Sequence, residues 1–304
     1  MTGMLSTRTL GLGKLGLMER ADSAIKQAKE QADDVIEDVA AHPWMERIAR
    51  FGYAMKGVVY MVIGALATKA AFGLGGETTD TRGALQAIND QPFGKFALGT
   101  VAFGLIGYVA WRWIQAIADT DNKGAGLKGI LVRIGYVGSG LVYAGLAFTA
   151  AKVLIDVGDP DSSTDVQQGW VAHFLTMPYG RWGVALAGLS VLGFGLYQIY
   201  KGIRAKFRKR LKLGEMSPSR KFWATLTGRV GYSARGVVFC IVGGFLVQAA
   251  RHFNPSEAKG LDAVLDTLSS WPFGPWALGT VAAGLFAYGF YMLVEARYRL
   301  INGS

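Results

Sequence analysis

Arg50-Phe-Gly-Tyr-Ala-Met-Lys-Gly-Val-Val-Tyr-Met-Val-Ile-Gly64 is written twice more along the chain. It returns as Arg133-Ile-Gly-Tyr-Val-Gly-Ser-Gly-Leu-Val-Tyr-Ala-Gly-Leu-Ala147 and as Arg229-Val-Gly-Tyr-Ser-Ala-Arg-Gly-Val-Val-Phe-Cys-Ile-Val-Gly243. The offsets are 83 and 96 residues, and self-similarity at such spacing marks a repeated structural unit. In each copy the tyrosine (Tyr53, Tyr136, Tyr232) is followed four residues on by a glycine (Gly57, Gly140, Gly236). Three further on comes Tyr60, Tyr143 or Phe239, and four beyond that Gly64, Ala147 or Gly243. Steps of four, three and four place these residues on one face of a helix.

Working outward, a second half of the unit repeats as well. Pro92-Phe-Gly94, Pro178-Tyr-Gly180 and Pro272-Phe-Gly274 each precede an apolar run, and an aromatic residue follows two positions later (Phe96, Trp182, Trp276). Thr100, Gly104, Gly107 and Trp111 then fall on one helical face. Leu186, Ser190, Gly193 and Tyr197 match them in the second copy, and Thr280, Gly284, Ala287 and Tyr291 in the third. Between the halves lies a short amphipathic segment, clearest at Leu261, Val264, Leu265, Leu268 and Trp271; it reads as a short helix capping the bundle or lying on the membrane face.

The six apolar runs, near Gly52–Phe72, Phe96–Ala118, Ile134–Val153, Trp182–Tyr200, Val230–Ala250 and Trp276–Val294, each suit a hydrocarbon core, which takes about 20 helical residues to cross. Composition agrees: 51% of residues are hydrophobic, 18% are charged and mean hydropathy is +0.26, so lipid is the expected solvent. The 42 glycines lie mainly within apolar runs, where small residues let helices approach closely. The expected fold is therefore all-α: a six-transmembrane-helix bundle of three tandem, parallel two-helix repeats related by a pseudo-threefold axis. Its parts are an N-terminal tail (1–45) with an amphipathic helix (18–41), repeat one (46–118), repeat two (130–203), a basic loop (204–228) and repeat three (229–298).

Charge orients the bundle. Ten basic residues against Glu215 alone lie between Lys201 and Arg229, and further Lys and Arg precede the first span and follow the second and sixth. The other three connections carry ten acids and fewer bases. Since Lys and Arg near span ends stay on the cytoplasmic side, both termini are expected in the cytoplasm of a bacterium, with the protein in its inner membrane. No cleavable signal peptide is expected. The basic loop is expected to meet anionic lipid headgroups, not nucleic acid, despite the net charge of +10. Residues 18–41 carry a net charge of −4 and offer a second surface, for the chain's own basic loop, self-association or a membrane-protein partner.

The repeat resembles the bacterial membrane-protein family known as domain of unknown function 1206, over roughly residues 46–298. The three R-x-G-Y openings, the aromatic and small residues of the first helices and the P-F/Y-G turns carry the resemblance. It implies three copies of a two-span unit and no activity. Copy two departs most: Ser139 stands where Lys56 and Arg235 stand, and Ser190 where Gly104 and Gly284 stand.

No phosphate-binding loop, dinucleotide fingerprint, HExxH or Ser/His/Asp set is present. With one cysteine, Cys240, and three histidines, neither a metal nor a cofactor is expected, and the protein reads as a non-enzyme. Candidate functional or packing positions are Lys56, Arg235, Tyr53, Tyr136, Tyr232, Gly57, Gly140 and Gly236. From sequence, Lys56 and Arg235 are expected to snorkel to the headgroups, the three tyrosines to anchor at the interface, and Gln115, Lys201 and Glu295 to lie at the rim. With few ionisable groups expected at mid-bilayer, a membrane scaffold or interaction protein is the favoured class; a small-solute or ion transporter using the bundle centre is the alternative.

The orientation is testable with an impermeant thiol reagent on intact cells in a Cys240→Ser background. A cysteine at 161 should label and one at 209 should not; the opposite pattern would invert the topology.

Overall fold

The computed structural model describes residues 42–74, 78–121, 126–156 and 163–300, together with 26, 27, 31 and 124. Most of the expected N-terminal helix 18–41 lies outside them. Nine α-helices are delimited among the described residues: α1 (Pro43–Ala71), α2 (Thr81–Asn89), α3 (Gly94–Ile117), α4 (Leu127–Leu154), α5 (Ser163–Leu175), α6 (Gly180–Ile203), α7 (Pro218–His252), α8 (Leu261–Ser269) and α9 (Gly274–Tyr298). Six of them, α1, α3, α4, α6, α7 and α9, are long and apolar enough to cross a membrane, making this a multi-pass, all-helical membrane protein. The short helices α2, α5 and α8 fill the connections inside the three units.

The starts of the helices are chemically set. His42 caps α1 through Nδ1, Asp80 caps α2 with two backbone N–H donors, and Ser217 caps α7; Pro43 and Pro218 occupy first-turn positions, where a missing N–H costs nothing. The P-F/Y-G turns explain their own glycine. Gly94, Gly180 and Gly274 each donate an N–H three residues back, to Gln91, Met177 and Trp271. In all three the backbone folds so tightly that a β-carbon would collide with the carbonyl of Asn89, Phe174 or Ser269 at the end of the preceding short helix.

The spans pack in the spatial order α4–α3–α1–α9–α7–α6. The second helix of each unit packs on the first helix of the next: α3 on α4, α6 on α7, and α9 back on α1. This is the cyclic pattern of a pseudo-threefold bundle. Within a unit, α1 packs on α3 and α7 on α9, whereas α4 and α6 form no comparable interface. The ring is open inside repeat two, and α4 and α6 are the least buried spans.

Between units the helices meet backbone to backbone. A β-carbon on Gly57 would lie 2.7 Å from the Gly289 carbonyl oxygen, and one on Gly236 2.7 Å from that of Gly195. Gly140 is different: Val109 takes the position of Gly195 and Gly289 in the repeat, and Gly140 faces the indole of Trp113 instead, a side chain that can swing. Gly57→Leu and Gly236→Leu are expected to lower the melting temperature in lipid nanodiscs by roughly 5 °C or more, for overpacking of about 1–3 kcal/mol. Gly140→Leu should cost less, and Ala65→Leu, at an exposed position of α1, almost nothing; equal effects at all four would refute the seams.

Candidate functional site: a cationic, tyrosine-lined bundle centre

Lys56 stands at the middle of α1 and Arg235 at the middle of α7, because these helices begin at Pro43 and Pro218, well upstream of their apolar windows. Neither snorkels. Lys56 is only 3% exposed and donates to the Tyr108 hydroxyl on α3 at 3.0 Å. Arg235 donates to the Tyr288 hydroxyl on α9, also at 3.0 Å. Tyr108 and Tyr288 are equivalent positions of the repeat, so the two bonds are one interaction made twice. Snorkelling fails because both cations sit on the inward stripe, next to Gly57 and Gly236, and phenol oxygens meet them there.

Aromatic faces complete the surroundings. Lys56 Nζ lies 4.7 Å from the Tyr108 ring centre and 4.5 Å from that of Tyr143, while Arg235 Cζ lies 4.9 Å from Phe239 and 5.0 Å from Tyr288, all within cation–π range. Tyr60 packs edge-on against Tyr288 and accepts a long bond, 3.5 Å, from Tyr143. Among the described residues no carboxylate forms an ion pair with Lys56 or Arg235. Arg235 keeps a buried Nε with no hydrogen-bond partner there.

A second layer lies toward the basic end. Tyr53, Tyr136 and Tyr232 are all buried, not interfacial, and each carries on its ring a cation from the end of the preceding unit. Arg299 lies 4.8 Å from Tyr53, Arg112 5.2 Å from Tyr136, and Lys201 4.0 Å from Tyr232. Gln115, Lys201 and Glu295, expected at the rim, are buried too: the ends of α3, α6 and α9 are covered by chain that folds back over them. Phe207 inserts fully and stacks on Tyr232. Lys212 N–H donates to the Tyr298 carbonyl at 2.7 Å and Leu300 N–H to that of Arg210 at 2.9 Å, stitching the basic connection to the end of α9.

Here the charges do pair. Arg299 bonds Glu295 and lies 3.8 Å from Asp121; Arg210 reaches Asp121 at 3.5 Å, and Tyr136 donates to the same carboxylate at 2.5 Å. Burial opposes the charge on Arg299, but Tyr53, Glu295 and Asp121 more than offset it and hold its guanidinium further above the ordinary arginine range. Arg210 is held up in the same way, by Tyr136 and Asp121 against burial. Across the two layers six cations (Lys56, Arg112, Lys201, Arg210, Arg235, Arg299) stand beside two acids, Asp121 and Glu295, both of which lie in the layer toward the basic end.

Several of these residues were not singled out from sequence. Tyr108 and Tyr288 carry a readable signal, an aromatic at one repeat position that becomes Phe194 in copy two. Arg299, Arg210 and Asp121 lie outside the spans and carry none; only tertiary folding brings them in.

The class these features define is a multi-pass helical membrane protein of three tandem two-span units. The chain belongs to the family described as Domain of Unknown Function (DUF1206), matched at residues 51–119, 134–205 and 230–299. An uncharacterised protein of Bacillus subtilis (strain 168), YxxB, is 35% identical over 257 residues, covering 84% of this chain and 92% of its own. No solved structure matches.

Removing one partner of a buried ion pair leaves the other uncompensated, at a cost of about 3–5 kcal/mol. Glu295→Gln should therefore lower the thermal midpoint markedly, and adding Arg299→Gln should recover part of the loss. An additive double variant would show that the pair does not lock the basic end.

Proposed function

We propose that this protein is a non-enzymatic membrane protein that binds an anionic solute at the centre of its three-repeat bundle, as a carrier or channel would. One observation carries the reading: two cations at mid-bundle, Lys56 and Arg235, are met by phenols and ring faces and by no described carboxylate. Charge inside a membrane protein is costly and typically marks a ligand path. An arginine cannot discharge itself by losing a proton, so an arriving anion completes the site. Parallel repeats around an axis along the membrane normal are an architecture known among transporters. A centre that holds Lys56 and Arg235 weighs against a scaffold, which needs no polar groups inside the bundle.

The rest of the reading follows charge. The inner membrane of a bacterium, with both termini cytoplasmic, is the placement in which the basic connection meets anionic headgroups. Arg204, Lys206, Arg208 and Lys209 are exposed there, and Phe222 and Trp223 stand exposed beside Lys221, a combination suited to a membrane interface.

The test is thermal unfolding of the full chain in phosphatidylcholine nanodiscs with increasing inorganic phosphate or sulfate at constant ionic strength. Binding to the folded state raises stability by RT ln(1 + [L]/Kd), about 2.7 kcal/mol at 100 Kd. The wild type should show a saturable rise; Lys56→Gln/Arg235→Gln should not, and Tyr108→Phe, which keeps the ring, should respond at higher concentration. A wild type indifferent to both anions would overturn the reading.

A further inference from the structure

In repeats one and three the two spans of a unit press small residues into each other. Gly52 meets the Tyr108 backbone and Gly104 meets Met55; Gly231 meets the Tyr288 backbone and Gly284 meets Ala234. Repeat two carries the same two faces at the same repeat positions, Ile134, Gly135 and Gly138 on α4 and Leu186, Ser190 and Gly193 on α6. They do not meet. A β-carbon on Gly135, Gly138 or Gly193 would touch nothing within 4 Å, and Ile134 and Leu186 are 60% and 67% exposed. The cation–tyrosine bond that joins the spans elsewhere is missing from both sides at once, since Ser139 and Phe194 replace its two members.

The result is a gap between two uncovered apolar helix faces, and residues at its two edges touch the central cations. On the α4 side Tyr143 is 4.5 Å from Lys56 Nζ. On the other side Phe239 of α7 is 4.9 Å from Arg235 Cζ and packs at 5.2 Å on Phe194 of α6. A free inorganic anion would match the cations and leave the walls bare. A neutral lipid would match the walls and leave the cations uncompensated.

We propose that the cleft between α4 and α6 admits an anionic amphiphile of the fatty-acid type from the bilayer, its head group held by Lys56 and Arg235 and its chain lying along the faces of repeat two. The assignment rests on the anion reading above and names its substrate class. Charge complementarity selects the head, and the uncovered span faces select the chain.

Photolabelling tests it: the full chain in phosphatidylcholine nanodiscs is irradiated with a diazirine-bearing palmitate and adducts are mapped by peptide mass spectrometry. Adducts should concentrate in 131–145 and 186–197, and be competed by excess palmitate but not by palmityl alcohol. Lys56→Gln/Arg235→Gln, which removes both cations, should reduce them about ten-fold or more, equivalent to a total loss of at least about 1.4 kcal/mol. Because that double variant alters the centre, Gly193→Trp is the second probe. It projects into open space, and should lower cleft labelling with little change in the melting temperature of the anion-free protein. Adducts spread evenly over all spans and insensitive to palmitate would overturn the proposal, as would α4 and α6 cysteine pairs that cross-link only between two copies of the chain. Phosphate stabilisation without cleft labelling would sink this inference and leave the anion reading standing; absence of both would sink the two together.

Discussion

The bond from a basic side chain to a tyrosine hydroxyl, made once by Lys56 to Tyr108 and once by Arg235 to Tyr288, is the interaction on which the arrangement turns. A charge taken into a helical bundle loses its hydration, and several kcal/mol per ion must be returned by local contacts. A phenol returns part of it, accepting a hydrogen bond at its oxygen and presenting an electron-rich face. The pair therefore holds the two spans of a unit together without a carboxylate, and where the pair is missing, in repeat two, the spans stand apart.

The layer toward the basic end obeys the opposite rule. Asp121 and Glu295 sit among Arg210, Arg299 and Lys201, and Phe207 and the backbone bonds of 210–212 to 298–300 tie that end together with paired charge and aromatic packing. At the other end the connections inside the units meet, where Thr164 bonds Asp262 at 2.7 Å and Thr78 bonds Asp266. Between α4 and α6 the ring lacks an interface.

Much of this architecture was written in the sequence. The three R-x-G-Y openings and P-F/Y-G turns announce three units, hydropathy finds six spans, and the leucine spacing at 261–268 finds the short helices. The glycine seams follow from small residues at helical steps, although Trp113 at Gly140 does not. The depth of the cations was not legible, because hydropathy windows locate apolar runs and not helix starts. Polar turns led by Pro43 and Pro218 lengthen α1 and α7, and the interior holds hydrogen-bond partners that no span-by-span reading contains. For the same reason Tyr53, Tyr136 and Tyr232 resemble interfacial anchors in sequence and are cation platforms in the fold. Arg299 and Asp121 reach them only because chain outside the spans folds back.

The departure of repeat two has a physical logic of its own. Strict threefold symmetry would set three cations around one axis in a medium of low dielectric, where like charges repel far more strongly than in water. Placing Ser139 at the third position removes one charge, and placing Phe194 opposite removes the phenol that would have met it. The first lowers the cost of the centre, and together they delete the interaction that joins the two spans of a unit. The same change that makes the remaining pair of cations tolerable thus leaves the two spans of repeat two without the bond that joins them elsewhere.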